Sequence, residues 1–160
     1  MKRTHHCNEL RLEHASQEVT LSGWVHSCRD LGGVIFIDIR DREGRTQVVF
    51  DPQETDAELV ANAGKLRSES VISVSGKVRQ RPDETENPKI PTGQIEVVAA
   101  EMAVHNHADV LPFQVDDPKN AAKVNEELRL KYRYLDLRRP EMIHNMRLRS
   151  RVATATRVFM

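Results

Sequence analysis

Apolar and polar residues alternate along residues 18 to 50, and a period of two predicts strands. Val19, Leu21, Gly23 and Val25 share one phase, while Thr20, Ser22, Trp24 and His26 share the other. The turn chemistry of Arg29-Asp30-Leu31-Gly32-Gly33 breaks the alternation. A second strand is predicted over Val34 to Arg40, then a turn at Asp41-Arg42-Glu43-Gly44, then a third strand from Arg45 to Phe50, the last two forming a hairpin. From Asp56 to Arg67 the period changes. Leu59, Val60, Ala63 and Leu66 recur three and four residues apart, and the alanine content suits a helix. Val71 to Arg81 alternates again as a fourth strand, and the polar, proline-rich stretch from Pro82 to Pro91 reads as a loop. A fifth strand begins near Gly93 and runs through Gln94-Ile95-Glu96-Val97-Val98 and beyond.

Five strands with one helix between the third and fourth is the layout of an all-β OB-fold, a five-stranded Greek-key barrel. A five-stranded immunoglobulin-like sheet competes, and the interposed helix counts against it. Residues 104 to 122 lose periodicity and contain Pro112 and Pro118, as a linker does. A short helix is predicted from Lys123 to Tyr134, and a second helical run starts at Pro140 and includes Met142, Met146, Val152 and Phe159. The expected division is a barrel over 1–105, a linker or hinge over 106–140, and the start of a further helical segment over 141–160.

Phase also sorts the strand residues by face. In the second strand Ile35, Ile37 and Ile39 take the core phase, so Phe36 points away from the barrel interior. Val48 and Phe50 turn Gln47 outward in the third strand. Ile72, Val74, Gly76 and Val78 turn Lys77, Arg79 and Arg81 outward in the fourth, and Ile95 and Val97 turn Gln94 and Glu96 outward in the fifth. An aromatic ring, amides, a carboxylate and guanidinium groups form a kit for splayed single-stranded bases. The ring stacks on a base at about 1–3 kcal/mol, amide and carboxylate groups bond base edges, and arginine holds phosphate. Outward polar residues are also ordinary on a strand, and one exposed Phe needs no special explanation.

Charge is balanced over the 160 residues, with 24 basic and 24 acidic side chains, which argues against a generic polyanion binder. The distribution is uneven: residues 129–160 hold nine Lys or Arg against Asp136 and Glu141, a net +7. Such a tail suits a polyanion, an acidic partner or a solvated helix face. No apolar stretch has the length of a membrane span, and the N-terminal MKRTHHCNEL lacks the apolar region of a secretory signal. Cys7 and Cys28 fit a reducing compartment, so the cytoplasm is expected and a membrane is not. His5, His6, Cys7, His26 and Cys28 are metal-ligand types without the paired spacing of a zinc site. Asp38 and Asp41 lie close enough to be considered as an acid–base pair, but Asp38-Ile39-Arg40-Asp41-Arg42 reads more simply as a solvated strand end. No nucleotide-binding glycine loop and no catalytic constellation occurs.

Three segments carry a family resemblance. Gly23-Trp24-Val25-His26 with Arg29-Asp30-Leu31-Gly32-Gly33-Val34-Ile35-Phe36-Ile37-Asp38-Ile39-Arg40-Asp41-Arg42-Glu43-Gly44 resembles the first half of the anticodon domain of bacterial aspartyl-tRNA synthetases. Pro91-Thr92-Gly93-Gln94-Ile95-Glu96-Val97 resembles the start of their fifth strand, and Leu130-Lys131-Tyr132-Arg133-Tyr134-Leu135-Asp136-Leu137-Arg138-Arg139-Pro140-Glu141-Met142 their linker to the class II catalytic domain. The resemblance implies a module that binds the anticodon of aspartate tRNA, with bases G, U and C. It implies Phe36 stacking on the middle base with Gln47 bonding it, and Glu96 reading the first base. Arg29 is then expected to hold the anticodon, and Arg79 and Arg81 to lie near the third base and backbone. His26-Ser27-Cys28 stands where the family often has arginines. The catalytic motifs, with their ATP and magnesium and the homodimer they build, are expected beyond Met160. No cofactor is expected in the 160 residues themselves, which are expected to be inactive alone and possible as a monomer. A free-standing OB protein for single-stranded nucleic acid, or a protein-interaction module, are the alternatives.

Overall fold

The computed structural model describes residues 1–115 and 124–160. Five strands, β1 (Glu18–Leu31), β2 (Val34–Arg40), β3 (Arg45–Phe50), β4 (Val71–Gln80) and β5 (Ile95–Asn106), close into a barrel in the order β1-β2-β3-β5-β4. β1 returns to pair with β4, so no sheet edge is left open. Every pairing is antiparallel except that of β3 with β5, which aligns Val48 with Val97 and Val49 with Val98. That parallel seam has a functional consequence: it seats Gln47 of β3 beside Glu96 of β5.

The inward phase fills the barrel as the alternation predicts. Val19, Leu21, Val25, Ile35, Ile37, Ile39, Val48, Phe50, Ile72, Val74, Val78, Ile95 and Val97 form one buried cluster. Each such side chain contributes about 1.5–3 kcal/mol through removal from water. Gly76 is small because a backbone comes close: a Cβ there would stand 2.0 Å from the Val98 carbonyl oxygen.

Element boundaries differ from expectation in three places. Arg29–Leu31, assigned to a turn, continue β1 and pair with Phe36, Ile35 and Val34. The turn shrinks to Gly32 and Gly33, whose φ of 67° and 90° suit a two-residue hairpin that L side chains resist. The Asp30 carboxylate fixes it by accepting from the Gly33 N–H at 2.9 Å. The helix α1 (Ala57–Ala63) is shorter than the predicted 56–67. Asp56 caps it, accepting from the N–H groups of Glu58 and Leu59, and the chain leaves the helix at Gly64. Residues 104–106, assigned to the linker, belong to β5, because Val104 and Asn106 still find partners in Ile72 and Val71.

Residues Val110–Met160 form a second compact unit. The single helix expected from Lys123 to Tyr134 is two, α2 (Glu126–Lys131) and α3 (Arg133–Asp136), broken at Tyr132 with φ −109° and ψ 48°. Lys123 itself and linker residues 116–122 lie outside the described residues. The break lets Arg129 of α2 and Arg133 of α3 both reach Asp136, whose side chain is fully buried. Arg139 adds a third guanidinium at 3.3 Å. Phe113, Val115 and Leu135 make a small core beside this cluster. A last helix, α4 (Pro140–Phe159), starts with proline at its first turn, where the missing N–H costs nothing.

Candidate functional site

The outward phase of the barrel lines up across strands. Ser27 pairs with Asp38, Asp38 with Gln47, and Arg79 with Glu96, while the parallel seam joins Gln47 to Glu96. One row of side chains therefore crosses all five strands, and it is hydrogen-bonded along its length. Ser27 Oγ donates to Asp38 Oδ2 at 2.9 Å. Arg29 Nη2 donates to Gln47 Oε1 at 3.1 Å and to Asp38 Oδ1 at 3.4 Å. Gln47 Nε2 donates to Glu96 Oε2 at 3.0 Å. Arg79 closes on the other carboxylate oxygen, Nε at 3.1 Å and Nη2 at 2.8 Å.

Phe36 lies one step along β2, opposite Arg29 on β1 and Val49 on β3. It is half-buried and outside the core cluster. Five of the six residues singled out from sequence thus share one surface. The sixth, Arg81, follows β4 in the same phase. Its Nε donates to the Ile95 carbonyl at 2.8 Å, and its buried Nη2 has no hydrogen-bond partner among the described residues. Burial pulls the Arg81 pKa below its ordinary value, against Glu96 and Asp38, which favour the charge.

One expectation about this surface needs correction. Gln47, Glu96 and Arg81 point away from the core as predicted, yet they are only 7%, 4% and 4% exposed. Their phase is right, but the groups cover one another through the contacts just described. The charge on Arg79 is likewise shared: Nη1 donates to Glu54 at 2.5 Å. Burial disfavours the Arg79 cation, but Glu96 and Glu54 outweigh it and hold its pKa above the usual value. A groove of about 980 Å³ opens beside it, lined by Glu54, Lys77, Arg79, Thr20 and Ser75 among others.

The segment from Asp38 to Arg42 is not the solvated strand end expected of it. Arg40 is buried with Glu69 at 2.6 Å. Asp41 is buried too, accepting from the N–H groups of Cys7, Glu43 and Gly44, with His6 Nδ1 at 2.8 Å. Burial pushes the Asp41 pKa up, and these bonds together more than reverse it, leaving it below the usual carboxylate value. The N-terminal segment is pinned to the barrel by this carboxylate, and burial pushes the Cys7 thiol far up. Among the described residues no three His, Cys, Asp or Glu are grouped to hold a metal ion.

Sequence reasoning did not place Ser27, Asp38 or Glu54 on this face, although it weighed Asp38 as an acid–base partner and noted Ser27 where the family often has arginines. Asp38 shares the phase of Phe36, so the alternation that found one already contained the other. Where arginines were expected, His26 Nε2 lies 2.8 Å from Arg45 Nη1, Ser27 joins the row, and Cys28 packs against the core. The assembled surface offers a ring for stacking and an amide–carboxylate pair for base edges. Arg79 ends the row on β4, and Arg29 reaches into it from β1.

Residues 19–105 match the family model described as OB-fold nucleic acid binding domain, and residues 125–160 match that of tRNA synthetases class II (D, K and N). Over 157 residues the chain is 50% identical to an aspartate–tRNA(Asp/Asn) ligase of Opitutus terrae, covering 98% of this chain and 26% of that protein. Against the enzyme of the same name from Desulfosudis oleivorans identity is 52% over 160 residues, covering 100% and 26% respectively. The asparaginyl-tRNA synthetase of Pyrococcus horikoshii superposes with a TM-score of 0.81 at 29% identity, over 99% of this chain and 34% of that one. The chain spans about a quarter of the length of the curated relatives it matches. Among the described residues no helix is long and apolar enough to cross a membrane.

Proposed function

The chain belongs to the family of OB-fold nucleic acid binding domains, and from that premise we propose that its outer row reads the anticodon of aspartate tRNA for an aspartate–tRNA ligase. The observation that carries this reading is the buried Gln47–Glu96 pair standing beside the half-exposed ring of Phe36. A sequence-indifferent binder needs cations and rings; a fixed carboxylate on the same face repels phosphate and suits a base edge with donors. In this proposal Phe36 stacks on the middle base and Gln47 bonds it. Glu96 accepts from the first base, and Arg29 orients Gln47. Arg79 fixes the Glu96 carboxylate, and Arg81, with its unpartnered amino group, bonds the third base or the backbone.

The charging step, with its ATP and magnesium, is assigned to the part of the relatives that this chain does not span. The expected corollary is no aspartate-dependent ATP–pyrophosphate exchange from these residues alone. The homodimer is assigned to that same remainder, and the cytoplasm is the compartment where this ligand is found. The relatives are named for both aspartate and asparagine tRNA, whose anticodons differ at the third base, so the third base is expected to matter least.

The test is binding to anticodon stem-loops carrying single base substitutions, at one moderate salt concentration, since affinities shift steeply with salt. Loss of affinity on changing the first or middle base supports the proposal. Equal binding to every loop points instead to a general single-strand binder.

A further inference from the structure

We infer that Glu54 is a specificity-determining latch on Arg79, an inference that rests on the nucleic-acid face proposed above. All three guanidinium nitrogens of Arg79 are engaged in the free protein. Nε and Nη2 hold one oxygen of Glu96, and Nη1 holds Glu54 at 2.5 Å. The two acids are not equivalent. The Glu96 side chain is 6% exposed and also held by Gln47, whereas that of Glu54 is 49% exposed and has no other partner among the described residues.

Glu54 is placed by the backbone and not by chance. Its N–H and that of Thr55 both donate to the Asp51 carbonyl, at 2.9 and 2.7 Å, closing the turn after β3. The Thr55 hydroxyl pins that turn to the Ala99 carbonyl of β5 at 2.9 Å. The carboxylate is thereby presented at the rim of the groove that Lys77 and Arg79 line.

The consequence is selective. A cognate base that bonds Glu96 and Gln47 needs Arg79 where it already is, so the latch stays closed. A strand without the right base edges binds through its phosphates, and the cations it meets in the groove are Lys77 and Arg79. At Arg79 a phosphate meets the Glu54 carboxylate, which already holds Nη1 and competes for the guanidinium. The latch therefore weakens wrong ligands more than right ones, a repulsive element that sets specificity.

The experiment compares wild type, Glu54→Gln and Glu54→Asp in binding the cognate anticodon stem-loop, a first-base substituted loop and oligouridylate over a range of salt. For Glu54→Gln, the substituted loop and oligouridylate are expected to bind about two- to five-fold tighter, the scale of an exposed ion pair. Their log–log salt slope should steepen by about 0.7, one added phosphate contact on a single strand. Cognate affinity is expected to stay within error, so discrimination narrows, and Glu54→Asp should restore most of it. Equal gains for all three ligands, or an unmoved salt slope, would overturn the latch. A wild-type chain that binds every ligand alike defeats the underlying reading; a discriminating wild type with an unchanged Glu54→Gln defeats the latch alone.

Discussion

Glu96 and Asp136 are both carboxylates withdrawn from water and held by arginine, yet their partners differ in kind. Asp136 takes Arg129, Arg133 and Arg139, all within seven residues of it in the chain. All three converge on Asp136, and Arg139 alone is seen to reach a second carboxylate, Glu141, at 3.9 Å. Glu96 takes Gln47 and Arg79, brought from β3 and β4 only because the barrel closes. Its partners are shared outward, Gln47 with Arg29 and Arg79 with Glu54. A buried charge must be paired to be tolerated at all. Saturated, local pairing makes a clamp; shared pairing on an outer face leaves hydrogen bonds that a ligand can take over.

The largest effect that this contrast predicts is at Asp136. Replacing it with alanine leaves three guanidinium groups facing one another, with Arg139 only 6% exposed. Breaking a buried pair in this way costs about 3–5 kcal/mol. Amide hydrogen exchange across α2 and α3 should accelerate strongly, while binding to anticodon loops, read on the barrel, holds. Unchanged protection in 126–136 would remove the clamp. Acid offers a second probe. Burial raises the Asp136 pKa, but Arg129, Arg139 and Arg133 more than reverse it, so the folded value lies below the ordinary one. A lowered carboxylate contributes its stability above the ordinary value of about 4 and loses it as pH falls through the folded value. Asp41 behaves alike. Melting temperatures should therefore fall below about pH 4, and less steeply in Asp136→Ala than in wild type.

On the barrel the expected losses are smaller and fall on binding. Phe36→Ala should weaken loop binding by about 1–3 kcal/mol, the scale of one stacked base. Because the ring is outside the core cluster, the melting temperature should barely move; an unaltered affinity would dismiss the proposed face. Glu96→Gln keeps the shape and removes the charge. It should erase the first-base preference, on the order of the 1–3 kcal/mol that a good edge contact supplies, with the third-base response left as it was. If Glu96→Gln instead costs mainly stability, Glu96 resembles Asp136 and the contrast dissolves.

How far the sequence carried depends on the range of the interaction. The barrel was legible because its signal is local: alternation put Ile35, Ile37 and Ile39 inward and Phe36 outward, and both placements hold. The face of Gln47 and Glu96 was legible for the same reason. Their burial was not, since Gln47 and Glu96 are 49 positions apart and meet only across a parallel seam. Glu54 was invisible too, because its partner Arg79 lies 25 positions away in another strand. Asp41 was misread because the segment that covers it, His6 and Cys7, carries no periodicity. The break at Tyr132 was not legible because the helical pattern runs through it; what it achieves, bringing Arg129 and Arg133 together on buried Asp136, shows only in the structure.

The smallest prediction is the sharpest test of the contrast. Ser27 stands in place of a cation at the far end of the row, and among the described residues its side chain makes one hydrogen bond, to Asp38. Asp38 in turn holds Arg29, and Arg29 holds the oxygen of Gln47. Ser27→Ala removes a bond worth about 0.5–1.5 kcal/mol and leaves Asp38 paired with Arg29. If the row is a clamp of the Asp136 kind, that loss appears as reduced stability and discrimination is untouched. If the row is an exchangeable surface, Asp38 and Arg29 shift within it, Gln47 loses its fixed orientation, and the cost appears as weaker preference for the middle base. The second result is expected, at less than the effect of Phe36→Ala, and measuring both melting and middle-base discrimination on one variant separates the two.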